Sequence, residues 1–576
     1  MNSKWTFNKI LERFERIEKK LCLDEVVIQG VPWWDMLRET IFEELLFELI
    51  EKEEIKNRIF VNNEFKKKKI STIFRILKNL INIFSPKSPL WINKRSVMIL
   101  GQPQRKFEKG KYVDPYTDSF IDLFPKTIDF SVIERPVENF GHFSPVKTKN
   151  LFYADSLYEF SNIISIFRKL KFRQSDLLTI TNLEKTLHNE FSCLIDVNKR
   201  VKKIVYHWLG YYPLMRFFFK LKKPKLLFVV VSEGHEAIIA AAKSLSITTI
   251  ELQHGSPARG KLIYDYSSGI KKKSSTDLLL SFGDFWSSNC KFSLDKDKII
   301  PFGNSYLHMK FNSYSHIIKE DRLVVISQGN RVLAKFALDI YKEFSKKIIV
   351  EYKPHPREFN EKEPDYFTEL RNAGVVISHK HADVYEILAK SRWQVGIYST
   401  TLYEGLYFGT ACFVVNSTRA FHMKRLIELD FARLISSPKD IDLNWKIEKK
   451  DMETFFSKPS QKNIEWYKSA FSLCGKNIVW IFGIDGMEDT GPIYRVGQNS
   501  KLMFEAMLLG KAMGINIDWQ YIVFKHNVHQ LDEARLFAKS HNINLHLVKS
   551  NRTGGGVKVP KNWKPNKNKE IINGNI

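Results

Sequence analysis

Apolar positions change their period along this chain, and the changes divide it. Over residues 1–92 they recur at helical spacing. Lys66–Lys69 precede Ile70, Ile73, Phe74, Leu77, Leu80, Ile81 and Phe84, an i, i+3, i+4, i+7 series broken by Arg75 and Lys78 and closed by Ser85-Pro86. This predicts a basic amphipathic helix that either packs its stripe on the next domain or lies on an anionic membrane surface. From about 95 to 440 short β-rich runs alternate with helical segments: Val97–Leu100, Leu226–Val231, Thr248–Leu252, Leu278–Phe282, Leu323–Ser327, Lys347–Tyr352, Val375–Ser378, Gln394–Tyr398 and Ala411–Val415. That alternation predicts an α/β protein with parallel sheets covered on both faces, and the length suits two of them. The seam is expected near Pro301–Ile318. The predicted division is a helical, basic region at 1–92, α/β domains at 93–310 and 311–470, a small βα block at 475–550 and a disordered tail at 551–576.

Composition narrows the function classes. With 576 residues, 44% of them hydrophobic, the chain has ample material for buried cores. Its five cysteines, Cys22, Cys193, Cys290, Cys412 and Cys474, are at least 62 positions apart, so neither a metal knuckle nor a disulfide lattice can be written. The amino-terminal stretch lacks the pattern of a secretory signal, and no apolar run reaches the ~20 residues that span a bilayer. A cytoplasmic protein, peripheral on the membrane at most, is expected. The formal charge of +26 favours anionic partners. Neither a zinc finger nor an RNA-binding aromatic signature accompanies that charge, which argues against nucleic acid.

Three strand-to-loop junctions hold candidate chemistry, because ligands in open α/β sheets bind beyond the carboxyl ends of strands. In Glu251-Leu-Gln-His-Gly255, His254 suits a general base, since imidazole titrates near neutrality. Glu233 in Ser232-Glu-Gly-His-Glu236 is the reserve base. In Tyr352-Lys-Pro-His-Pro-Arg357, the prolines stiffen a loop carrying Lys353, His355 and Arg357, a cationic set suited to phosphate. In Tyr398-Ser-Thr-Thr-Leu-Tyr-Glu-Gly405, Ser399, Thr400 and Thr401 open a helix whose free N–H groups attract anions, and Glu404 suits ribose hydroxyls. Thr401-x-x-Glu404 also reads as a capping box.

In this order and spacing the three motifs resemble the capsule and surface-polysaccharide glycosyltransferases of GT-B type, including the bacterial Kdo and sialic acid polymer enzymes. More distantly they resemble the glycerophosphotransferases of teichoic acid assembly. Leu100–Asp118 looks like the opening of uncharacterised members of that group. The resemblance implies two Rossmann-like doubly wound domains, transfer from a nucleotide-sugar donor to a glycan or lipid-linked glycan acceptor, and no bound metal. It implies nucleotide-phosphate binding by His355 and the Ser399–Thr401 hydroxyls, with His254 near the reacting hydroxyl. The acidic-acidic-Gly motif of the sialic acid polymer enzymes is matched only partly, by Ser232-Glu233-Gly234. Polyol-phosphate transfer and a non-catalytic scaffold of an assembly complex are the competing expectations. Separately, Gly483–Asn499 and Trp519–Asn527 resemble the middle of a radical SAM barrel. That family's three-cysteine motif is absent, so no iron–sulfur cluster is expected.

Overall fold

The fold is described from a computed structural model, over residues 5–52, 81–124, 128–137, 141–329, 331–359, 363–447, 454–458, 480–487, 499–512, 517–549 and 569–572. It falls into two compact units, Met1–Leu123 with Phe130–Ser460, and Phe124–Asp129 with Gln461–Ile576.

In the large unit, Thr6 caps helix α1 (Phe7–Lys20), its hydroxyl accepting from the Lys9 N–H. Phe7, Ile10, Leu11, Phe14 and Ile17 form one buried stripe along it. The stripe meets α2 (Trp33–Leu46), which buries Trp33, Trp34, Leu37, Ile41 and Phe42. Of the predicted basic amphipathic helix, residues 66–80 lie outside the described residues.

Seven parallel strands form the first sheet: β1 (Val97–Gly101), β4 (Phe130–Glu134), β5 (Leu151–Tyr153), β6 (Leu226–Val230), β7 (Thr248–Leu252), β8 (Leu278–Ser281) and β9 (Ile299–Pro301), in the order β5-β4-β1-β6-β7-β8-β9. A hairpin of β2 (Lys106–Glu108) and β3 (Lys111–Val113) follows β1. The second sheet is also parallel: β10 (Glu320–Ile326), β11 (Ile349–Lys353), β12 (Val376–Ile377), β13 (Ser391–Gly396), β14 (Ala411–Val415) and β15 (Ala432–Ile435), in the order β12-β11-β10-β13-β14-β15. Both sheets start in the middle, wind outward one way, then return and wind out the other. Each is therefore doubly wound, and the switch points lie at β1/β6 and β10/β13.

Between β5 and β6 the chain makes three helices, α3 (Asp155–Phe167), α4 (Gln174–Phe191) and α5 (Val197–Lys222). The helices α3 and α5 pack closely because Gly210 has no side chain, and a Cβ there would overlap the Ser161 carbonyl oxygen and the Ser165 hydroxyl. Gly210→Ala is expected to lower stability by about 2 kcal/mol, outweighing the ~1 kcal/mol that alanine gains in helix propensity. Urea unfolding monitored by circular dichroism measures it, and an unchanged or raised midpoint would contradict the packing argument.

The expected seam is not a plain linker. Asn304 accepts from the Leu307 N–H and starts a helix, Ser305–Tyr314, that crosses the predicted boundary at 310/311 and buries Tyr306 and Leu307 among second-sheet residues. The Ser/Asn-rich stretch that read as linker supplies this cap.

The small unit holds β16 (Trp480–Gly483), β17 (Ile517–Val523) and β18 (Asn544–Lys549) in parallel, with β19 (Lys569–Ile572) antiparallel at the edge. Trp519, Tyr521, Leu545 and Leu547 form its core. The strand β19 falls inside the segment expected to be a disordered tail: Lys-Glu-Ile-Ile is too short to read as a strand until β18 offers it a ladder. Cys474 lies outside the described residues.

Candidate functional site

The carboxyl ends of the two sheets approach each other within the large unit. Gly255, just past β7, has a φ of +72°, a left-handed conformation that favours glycine. A Cβ on it would lie 3.9 Å from the Thr400 hydroxyl, at the start of the helix Thr400–Tyr407 that follows β13. Two of the three junctions singled out in the sequence thus face each other.

His254 is held by its backbone, whose carbonyl accepts from the Tyr264 hydroxyl at 3.1 Å. Its ring lies against Tyr116 with centroids 4.8 Å apart and, among the described residues, makes no hydrogen bond. Burial, then the nearby Lys261 and Arg135, push its pKa down to about 4. At neutral pH the imidazole is therefore uncharged and able to accept a proton.

Glu233 stands exposed on the loop after β6, where Lys261 and Glu39 feel its charge. Its neighbours turn inward. His235 Nδ1–H donates to the Val231 carbonyl at 3.2 Å, and burial lowers its pKa to about 4. Glu236 opens the next helix, and burial pushes its carboxyl up to about 7 against the opposing effect of Lys272.

On the second sheet, Glu358 organises the loop after β11. Its carboxylate accepts from the His355 N–H at 2.5 Å and from the hydroxyls of Ser327 (2.6 Å), Tyr352 (2.8 Å) and Tyr366 (2.7 Å). The loop is thereby tied to the end of β10, which ends at the switch point. His355 Nδ1 accepts from the Arg357 N–H at 3.2 Å, which assigns the ring proton to Nε2. Burial, then Arg357, lower its pKa, so His355 presents a neutral N–H donor. Arg357 is exposed, whereas Lys353 is half-buried, its pKa lowered by burial and raised in turn by Glu351.

The helix at 400 is capped by Ser399, whose hydroxyl accepts from the Thr401 N–H at 3.2 Å. The capping box expected from Thr401 to Glu404 is not formed, because the cap sits two residues earlier. Glu404 is buried instead. Its Oε1 accepts from the Tyr385 hydroxyl at 3.3 Å, and burial raises its carboxyl pKa while Lys106 opposes the rise.

Lys106 belongs to residues the sequence reading gave no role. It comes from the β2–β3 hairpin, with Nζ 3.5 Å from the Tyr385 hydroxyl, 4.5 Å from the Tyr385 ring centroid and 5.1 Å from that of Tyr306. Burial lowers its pKa, and Glu404, then Asp383, hold it up. Glu108 on the same hairpin accepts from the Tyr306 hydroxyl and pairs with Lys310 at 2.7 Å, and Lys310 pairs with Asp383 at 2.6 Å. The hairpin thus leaves the first sheet and is fastened to the second. The local signal for this stretch was the turn at Asp114-Pro115-Tyr116-Thr117, where Asp114 accepts from the N–H groups of Tyr116 (2.8 Å) and Thr117 (3.2 Å) and so fixes Tyr116 beneath His254.

Chemically, the carboxyl edge of the first sheet offers a neutral imidazole, and that of the second an N–H donor, half-buried ammonium groups and a helix start. Such an arrangement suits an anionic ligand whose reaction moves one proton. No cluster of three or more metal-ligating side chains occurs among the described residues.

No protein-family model matches the chain, and no curated protein matches it. Solved structures do. A UDP-GlcNAc 2-epimerase from Neisseria meningitidis, bound to UDP-GlcNAc, is 12% identical over 72% of this chain and 99% of its own, with a TM-score of 0.37. A UDP-N-acetylglucosamine 2-epimerase from Rickettsia bellii is 11% identical over 66% of this chain and 94% of its own, with a TM-score of 0.35. MurG from Acinetobacter baumannii is 9% identical over 60% of this chain and 87% of its own, with a TM-score of 0.32.

Proposed function

We propose that the chain is a glycosyltransferase that moves a sugar from a nucleotide-sugar donor to a hydroxyl of a capsule or surface-polysaccharide acceptor. The observation that carries this reading is the juxtaposition of His254-Gly255 with Thr400 across the two strand-end edges. In the proposed reaction the acceptor hydroxyl gives its proton to the neutral His254 as its oxygen bonds to the anomeric carbon. The bond from that carbon to the donor phosphate breaks, and the nucleoside phosphate leaves with the electron pair. His355 Nε2–H, Lys353, Arg357 and the N–H and hydroxyl groups of Ser399, Thr400 and Thr401 offset the departing charge. Glu404 Oε2 takes a ribose hydroxyl, since Oε1 already serves Tyr385. Glu233 takes the proton if His254 does not. We assign the small carboxy-terminal unit no part in the transfer.

Thermal unfolding with CMP, CDP, UDP, GDP and their common sugar conjugates tests the donor half. A ligand at ~100 times its dissociation constant adds roughly 2.7 kcal/mol to stability. One nucleotide family is expected to raise the midpoint, and His355→Ala to weaken that ligand by about tenfold through loss of one hydrogen bond to an ionised group. If no nucleotide shifts the wild-type protein, the transferase reading falls and the scaffold reading replaces it. Product analysis separates sugar transfer from polyol-phosphate transfer.

A further inference from the structure

The connection from α3 to α4 presents its apolar side chains outward. In Ile166-Phe-Arg-Lys-Leu-Lys-Phe-Arg173, Ile166 is 68% exposed, Phe167 82% and Leu170 37%, and just beyond it Leu178 is 63% exposed. Interleaved with them are Arg168, Lys169 and Lys171, all exposed and, among the described residues, without a carboxylate partner. The segment 166–175 contains no acidic residue.

This exposure is imposed by anchors at both ends. On the α3 side, the Ser165 hydroxyl lies 2.9 Å from the Tyr206 carbonyl oxygen. In the middle, Gln29 clasps the backbone, its Nε2 donating to the Lys169 carbonyl at 3.4 Å and its Oε1 accepting from the Lys171 N–H at 2.9 Å. On the α4 side, Phe172 packs on the core of the amino-terminal helices, and Asp176 accepts from the Arg173 N–H at 2.9 Å. The backbone is thus fixed with Ile166, Phe167 and Leu170 facing solvent. Apolar groups held this way forgo burial that alternative packing would supply, and contiguous exposure of this kind marks a surface that meets a partner.

We propose that this segment docks the protein on an anionic lipid bilayer. Ile166, Phe167 and Leu170 enter the boundary between headgroups and acyl chains, while Arg168, Lys169 and Lys171 lie among the lipid phosphates. A protein partner would need an apolar pocket lined with acids to match this alternation, whereas a bilayer offers both layers along any direction. The surface lies on elements separate from the candidate site. The inference does not rest on the transferase reading.

Co-sedimentation of the full chain with phosphatidylcholine vesicles containing 30% phosphatidylglycerol, beside pure phosphatidylcholine, tests it. The wild-type protein is expected to bind the anionic vesicles and to be released by high salt. Ile166→Ser/Phe167→Ser/Leu170→Ser is expected to lower the partition coefficient by about 100-fold or more, and Arg168→Glu/Lys169→Glu/Lys171→Glu likewise by about 100-fold or more. All six positions are exposed, so both variants should keep the wild-type thermal midpoint and nucleotide response, which separates this test from that of the proposed activity. Failure of the wild type to bind, or wild-type binding by either variant, would overturn the proposal. The second outcome would move any vesicle binding to another part of the chain.

Discussion

Replacing His254 by alanine is expected to lower turnover by about 100- to 10,000-fold, the range over which a positioned general base acts. Nucleotide binding should persist, since His355 and the helix at Thr400 sit on the other sheet. The pH dependence is the sharper test. In the free protein, burial and the cations Lys261 and Arg135 hold the imidazole near 4, so it is uncharged over the whole neutral range. The acid limb of kcat/KM is therefore expected near pH 4, well below the ordinary histidine value near 6.5. A bound diphosphate adds negative charge at the facing edge and favours the imidazolium, which places the acid limb of kcat above that of kcat/KM. The same charge makes His254 a stronger base when the donor is in place. A kcat/KM limb near 6.5, or His254→Ala within about threefold of wild type, would remove His254 from the base role; wild-type rates in Glu233→Gln would then exclude the reserve base too.

Tyr116 ties this edge to that of the second sheet. Its ring lies on His254, while burial and the Glu404 charge raise its pKa. Glu404 in turn is bound to Tyr385 and faces Lys106.

The strand-end motifs were legible because each is local: an apolar run, a polar junction, then a helix. The central strands β6, β8 and β14 read clearly because burial on both faces leaves near-continuous apolar runs. The strand β9 did not, being three residues that end in proline, and neither did β5, which lies at a sheet edge. The pairing of Lys106 with Tyr385 joins positions 279 apart and has no period to betray it. Glu358 read as one more charged residue in a basic loop, yet it holds that loop through four hydrogen bonds donated by residues on three segments. At Ser399-Thr-Thr, several hydroxyl residues in a row suit a cap equally, and only the backbone of the folded chain selects Ser399.

Arg38→Ala is expected to cost about 3–5 kcal/mol of stability, more than the loss expected for Gly210→Ala. Arg38 on α2 is 1% exposed, and Glu18 on α1 is fully buried. They meet through two parallel bonds, Nε to Oε1 at 2.7 Å and Nη2 to Oε2 at 2.9 Å, with Trp34 Nε1 donating to the same carboxylate at 2.9 Å. The remaining nitrogen, Nη1, donates to the carbonyls of Leu262 (2.5 Å) and Asp265 (2.8 Å), and the guanidinium lies 4.3 Å over the Tyr266 ring. Truncation strands an unpaired carboxylate and two backbone carbonyls in a dry core, whereas the intact pair itself adds little net stability. Glu18→Leu/Arg38→Met, which removes both charges, is therefore expected to recover more than half of the loss. Activity should not recover in parallel, because residues 262–266 belong to the loop whose Tyr264 hydroxyl holds the backbone of His254. On its other side the same helical layer grips the loop after β14, where Arg419 pairs with Glu43 at 2.7 Å and with Glu51 at 2.5 Å. The amino-terminal helices therefore fasten loops at the carboxyl edges of both sheets, and they are expected to set how closely Gly255 approaches Thr400. Urea unfolding of the single and double variants, read beside turnover, tests this role. A loss under about 1 kcal/mol in Arg38→Ala, or full activity in the double variant, would reduce these helices to a packing layer.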